Sequence, residues 1–160
     1  MEKELDRLFE MLQDTEEASE LKDIESKIWE IWMDSEDPQL NVLMEQGCDA
    51  LAKEDFNKSI ELFESIIEIA PSYAEGWNKR ATAYYLRGSY KDSLFDIKKT
   101  LQLEKRHFGA LSGLASICMS IGDFKGALDA FSKLSSIYPK REDIKEQIQS
   151  LKEFLEKRKN

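Results

Sequence analysis

A recurrence at 34 residues constrains this chain more than any other feature. Trp77, Ala81, Tyr84, Gly88 and Tyr90 have counterparts 34 places earlier in Leu43, Gly47, Ala50, Glu54 and Phe56. They have counterparts 34 places later in Leu111, Ala115, Cys118, Gly122 and Phe124. A fixed period of this length marks an array of small helical units, each unable to bury its apolar face alone.

The period has a second half. Ser59, Ser93 and Ala127 are in register and small; Phe63, Ile97 and Phe131 follow four places on and are large and apolar. Residues three and four apart share one face of a helix, so each unit reads as two helices that meet at a small residue. Pro71, Lys105 and Pro139 stand at the close of the units. Proline there prevents the second helix from continuing. The periodicity leaves no room for strands, and the expected fold class is all-α.

These residues resemble the signature of the tetratricopeptide repeat (TPR) family. The units are 40–73, 74–107 and 108–141. The middle unit departs at Arg80, where leucine is usual, and at Lys105, where proline is usual. The third departs at Cys118, where tyrosine is usual. The resemblance implies a right-handed αα-superhelix, a TPR solenoid whose first helices line a concave groove. It also implies a protein or peptide partner and no catalytic activity.

Two segments flank the repeats. Leu5, Leu8, Phe9 and Leu12 form an apolar stripe on a helix over Glu2–Gln13. Ala18, Leu21, Ile24, Ile28 and Ile31 form a second stripe on a helix running to about Met33, widened by Trp29 and Trp32. Residues 1–36 are therefore expected to form a hairpin that caps the first repeat. Trp29 and Trp32 offer a second candidate surface, and the alternative reading is a structural subunit self-associating through this hairpin. Ser35–Pro38 breaks the helix. Ile144, Ile148, Leu151 and Leu155 stripe a last helix over residues 142–160, a polar-faced C-terminal cap. The hairpin, its Ile28-Trp29-x-x-Trp32 pattern and three repeats together resemble a group of small bacterial TPR proteins, a likeness that implies no specific activity.

The net charge of −9 is uneven. Residues 1–40 hold 14 acidic and 4 basic side chains, and the remainder 18 and 19. An acidic chain is a poor ligand for nucleic acid or an anionic membrane. No apolar run is long enough to span a bilayer. The charged start, MEKELDRLF, has no apolar signal core, so cytoplasmic residence is the expectation. A mature exported form that has lost its signal peptide is the alternative.

Enzymatic motifs are missing. The sequence has no GxSxG turn, no HExxH, no CxxC and no phosphate-cradling glycine loop. His107 is the one histidine and reads as structural. Cys48 and Cys118 read as small apolar packing residues, so no metal or cofactor is expected. What remains is a surface. By register the groove carries Met44, Cys48 and Leu51 from the first unit, Asn78, Lys79, Thr82 and Tyr85 from the second, and Ser112, Ser116 and Met119 from the third. Some TPR domains clamp the C-terminal carboxylate of heat-shock chaperones with lysine, asparagine and arginine. The corresponding places here are Met44, Cys48, Lys79, Gly109 and Gly113, which do not match the clamp. The leading expectation is a protein–protein interaction module that binds a peptide or helix in its groove, possible homo-oligomerisation being the structural alternative.

Overall fold

The computed structural model describes residues 1–159, which form nine helices and no strand. The all-α expectation holds. The helices are α1 (Glu2–Asp14), α2 (Ala18–Met33), α3 (Pro38–Ala52), α4 (Phe56–Ile69), α5 (Ala74–Arg87), α6 (Tyr90–Leu103), α7 (Phe108–Ile121), α8 (Phe124–Ile137) and α9 (Glu142–Arg158). No helix is long and apolar enough to cross a membrane among the described residues.

The turns explain why the helices come in pairs. Gly88 and Gly122 have φ of 86° and 79°, the left-handed conformation in which a glycine avoids a Cβ clash. The next amide reaches back five residues: Ser89 N–H donates to the Tyr84 carbonyl at 2.8 Å, and Asp123 N–H to that of Cys118 at 2.8 Å. In the first repeat Asp55 N–H donates to the Ala50 carbonyl at 2.9 Å, but the left-handed residue is Glu54, with φ 61°. A side chain there costs about 1 kcal/mol. Glu54→Gly is therefore expected to raise stability by up to about 1 kcal/mol, read as a higher urea midpoint with unchanged slope. A fall in the midpoint would show that the turn is not strained. Asp55 and Asp123 then cap α4 and α8 by accepting from the Lys58 and Gly126 amides.

The backbone divides into two compact units. One comprises Trp32–Gly113; the other joins Met1–Ile31 to Leu114–Asn160. In the first unit α3 packs on α4, α4 on α5 and α5 on α6. Its core gathers Leu40, Met44, Ile60, Phe63, Ile66 and Ala83, with Met33, Tyr73 and Tyr84 against it. Small residues set the helix separations. Phe63 lies over Gly47, so closely that an added Cβ would stand 2.4 Å from the ring. Buried Ser93 donates to the Ala81 carbonyl at 2.7 Å, tying α6 to α5.

In the second unit α8 packs on α9, and α1 packs on α8. Cys118, Ala127 and Leu151 form a core with Leu114, Phe124, Leu128 and Phe131 around it. Leu5, Leu8, Phe9 and Leu12 are buried, as the stripe requires. Within this unit α1 meets the second helix of the third repeat, while Met33, the last residue of α2, packs against the core of the first. Lys140 fastens the turn of the hairpin by donating to the Asp14 carbonyl at 3.3 Å and pairing with Glu16 at 3.4 Å. An amphipathic stripe demands burial but carries no address, so the contact of α1 with α8 was not legible in it.

Candidate functional site

The middle repeat holds the polar groups that the helical pattern did not explain. Arg80, which replaces the usual leucine, donates from Nε and Nη2 to both carboxylate oxygens of Asp96 at 2.8 and 2.9 Å. The two side chains are 14% and 1% exposed. Burial pushes the Asp96 carboxyl above the ordinary aspartate value, against the pull of the Arg80 guanidinium. The corresponding residues of the third repeat, 16 apart in the same way, are Leu114 and Ala130. The pair is thus a charged replacement for an apolar contact between first and second helices. It is structural, and Arg80 also lies over the Trp77 and Tyr84 rings.

A second buried group links α5 to the start of α7. His107 Nε2 meets Glu75 Oε1, and Asn78 Nδ2 donates to Glu75 Oε2 at 3.3 Å. The Ala110 amide donates to His107 Nδ1 at 3.1 Å, which leaves the ring proton on Nε2 facing Glu75. Trp32 stacks on the imidazole at 4.2 Å with an interplanar angle of 12°, and its ring lies 5.0 Å from that of Phe108. A histidine so enclosed has no open face for a substrate, in keeping with its structural reading.

Closing residues of the repeats hold α2. Tyr73, the last residue of the first repeat, bonds through its hydroxyl to the Met33 carbonyl at 2.5 Å. His107, last of the second, carries Trp32. Arg141, last of the third, pairs with Glu25 at 3.9 Å. Trp32 is therefore half-buried and engaged within its own unit, and Trp29 is half-buried too. A cleft of about 510 Å³ beside Lys140 and Arg141 is rimmed by these same paired charges.

Burial raises the Tyr73 and Tyr138 hydroxyls above the ordinary tyrosine value, with nearby Glu75 adding at Tyr73 and Glu25 at Tyr138. A group whose folded pKa is raised contributes stability that is complete below its unfolded value. That contribution is lost as pH rises through the folded value. The melting temperature is expected to begin falling above about pH 10, where unfolded tyrosine ionises. Tyr73→Phe should shallow that fall; a fall just as steep in the double Tyr73→Phe, Tyr138→Phe variant would remove tyrosine as its cause.

The residues assigned to the groove by register are placed unequally. Met44 is 2% exposed and belongs to the core, with Cys48 Sγ 3.9 Å from its Sδ. Asn78 is 6% exposed, turned to Glu75. These two present almost no surface: Met44 packs with Leu40, Ile60, Phe63, Ile66 and Ala83, and Asn78 is bonded to Glu75. Cys48 and Leu51 are half-buried against the same core. Lys79, Thr82 and Tyr85 are half-buried, with Thr82 Oγ1 bonded to the Asn78 carbonyl and the Tyr85 ring 5.5 Å from that of Tyr90. Ser112, Ser116 and Met119 are exposed at i, i+4 and i+7 along α7. Both cysteines are free thiols, raised in pKa by burial. Among the described residues no cluster of three or more His, Cys, Asp or Glu could hold a metal ion.

No family model matches the chain. A TPR repeat-containing protein of Rhizobium etli is 34% identical over 151 residues, spanning 94% of this chain and 74% of that protein. The chain therefore belongs to the tetratricopeptide repeat family. Among solved structures, the Sgt2 TPR domain from Aspergillus fumigatus superposes with a TM-score of 0.67 at 23% identity, over 77% of this chain and 83% of that one. The first TPR of Spaghetti (RPAP3), bound to the HSP90 peptide SRMEEVD, gives 0.67 at 16% identity, over 74% and 95%. These likenesses agree in fold: paired helices of the αα-superhelix class.

Proposed function

We propose that the chain is a non-catalytic protein-interaction module that binds a peptide or helix of a partner through its first helices. The observation that supports this is the face of α7 bearing Ser112, Ser116 and Met119. It is open, small and uncharged on an otherwise charged molecule. Small side chains let a partner backbone approach, and a flexible methionine, here 39% exposed, adapts to varied apolar side chains. In the Trp32–Gly113 unit, half-buried Thr82 and Tyr85 of α5 offer a hydroxyl and an aromatic ring of their own. The solved Spaghetti domain takes an acidic peptide, which supports peptide binding as the class of activity here. At the chaperone-clamp places, Lys79 is the one cation and Met44 is buried, so we propose a ligand other than a clamped chaperone tail.

The alternative, self-association through Trp29 and Trp32, has less support because Trp32 is stacked on His107. A peptide library displayed on phage and selected on the full-length chain tests the first reading. Peptides so obtained should lose binding to Ser112→Arg, Ser116→Arg protein whose melting temperature is unchanged. Tyr85→Ala is expected to weaken them by roughly 1–3 kcal/mol. Tyr84→Ala, at the edge of the core, should lower stability first. Selected peptides indifferent to all of these changes would place the binding face elsewhere.

A further inference from the structure

A face of the Trp32–Gly113 unit has the composition of a docking site. On the outer side of α6, Lys91, Phe95, Lys98 and Gln102 follow at i, i+4, i+7 and i+11, all exposed. Phe95 is 57% exposed and Leu103, two turns further on, 43%. The Trp77 ring lies 6.4 Å from that of Phe95 at an angle of 53°. Lys99 Nζ lies near both rings, 5.8 Å from the Trp77 centroid and 5.9 Å from that of Phe95. Lys91, Lys98 and Lys99 have no carboxylate partner among the described residues, whereas Arg80, which also lies over the Trp77 ring, is held by Asp96.

The other second helices do not share this surface. At the places of Phe95 and Lys98, α4 has Glu61 and Glu64, and α8 has Asp129 and Ser132. The middle repeat carries 8 basic and 4 acidic residues, the first repeat 2 and 7. A basic centre has thus been built into an acidic protein around two rings that no fold requirement leaves open. An exposed phenylalanine between lysines contributes little to the monomer, since its ring is more than half in water.

We propose that the outer face of α6 is a docking surface for an acidic polypeptide segment that carries an apolar side chain. Carboxylates would meet Lys91, Lys98 and Lys99, and the apolar side chain would cover the Phe95 and Trp77 rings. Charge complementarity argues for this occupant. At physiological ionic strength fields decay over about 8 Å, so a segment at the surface responds to these lysines more than to the chain's net charge. Three cations beside Asp92 are few for a nucleic acid, whose binding rests on many phosphate contacts. This face is separate from the first-helix surface of α7, and neither assignment depends on the other.

The test uses the full-length protein and a fluorescein-labelled synthetic peptide of glutamates with leucine at every fourth place, followed by fluorescence anisotropy. Binding at physiological salt is expected, weakening as salt rises. Phe95→Ser, and separately Lys98→Glu with Lys99→Glu, should each weaken it by about tenfold. Circular dichroism and melting temperature confirm that the variants are folded; Phe95→Gln serves if Phe95→Ser is not. A glutamine version of the peptide, and one with serine for leucine, should both bind poorly. Absence of binding, or binding indifferent to these substitutions, would overturn the proposal. So would a labelled oligothymidylate that binds as tightly as the peptide. Sedimentation that revealed self-association lost in the Lys98→Glu, Lys99→Glu protein would assign the face to a second copy instead, and overturn the choice of occupant.

Discussion

Arg80→Ala is expected to destabilise the protein by roughly 3–5 kcal/mol, the usual cost of removing one partner from a buried ion pair. Asp96 is 1% exposed and would keep its carboxylate with no guanidinium to meet it. At about 2–4 °C per kcal/mol for a chain of this size, the melting temperature should fall by roughly 6–20 °C. The third repeat suggests the repair. It places Leu114 and Ala130 where the second has Arg80 and Asp96, so Arg80→Leu combined with Asp96→Ala converts one repeat's contact into its neighbour's. Replacing both members of a buried pair by apolar groups is often neutral or stabilising. The double variant should therefore lie within about 1 kcal/mol of the parent, or above it. Thermal melts of the single and double variants decide it. A loss below about 1 kcal/mol for Arg80→Ala would mean that the carboxylate finds water, and that the pair is not sealed as the geometry implies.

Phe63→Ala should cost about 3–5 kcal/mol, since its ring is wholly buried at the centre of the Trp32–Gly113 unit. Gly47 makes the prediction more specific. With the ring in place, Gly47→Ala brings a Cβ to 2.4 Å from Cε1, and overpacking of this kind costs about 1–3 kcal/mol. The gain in helix propensity, about 0.5–1 kcal/mol, offsets only part of that. With the ring removed, the clash disappears and the propensity gain remains. Gly47→Ala should thus destabilise the parent but stabilise Phe63→Ala, a change of sign in a double-mutant cycle. If Gly47→Ala has the same sign in both backgrounds, the ring does not rest on Gly47. The corresponding residues of the third repeat are Ala115 and Phe131, and there the phenylalanine is only partly buried.

The helices were legible in the sequence because their evidence is local. The 34-residue register and the apolar stripes placed the hairpin helix over Glu2–Gln13, against an observed Glu2–Asp14. The second helix ends at Met33 as read, and Pro38 opens α3 behind the Asp37 cap. The small places Gly47, Ala81, Ser59 and Ser93 were visible for the same reason: they repeat; that Phe63 rests on Gly47 and Ser93 bonds to Ala81 was not. The departure at Arg80 was visible too, but its meaning was not. Nothing local says that an arginine will find Asp96, although an acid 16 places on, at the same point of the second helix, is a signal that a paired reading of the repeats could have used.

The sequence by itself determined the all-α class, the family, and the faces that each helix must bury, since these follow from periodicity and from the conformational needs of turn residues. Only the tertiary structure decided which partners those faces meet. It laid α1 on α8 and set Trp32 against His107. It also buried Met44 and Asn78, leaving Ser112, Ser116 and Met119 in the open. The physical reason is that hydrophobic burial is nearly non-directional. An apolar stripe states that water must be excluded, while the choice of neighbour depends on shape, on charge pairs such as Lys140 with Glu16, and on the length of chain between them.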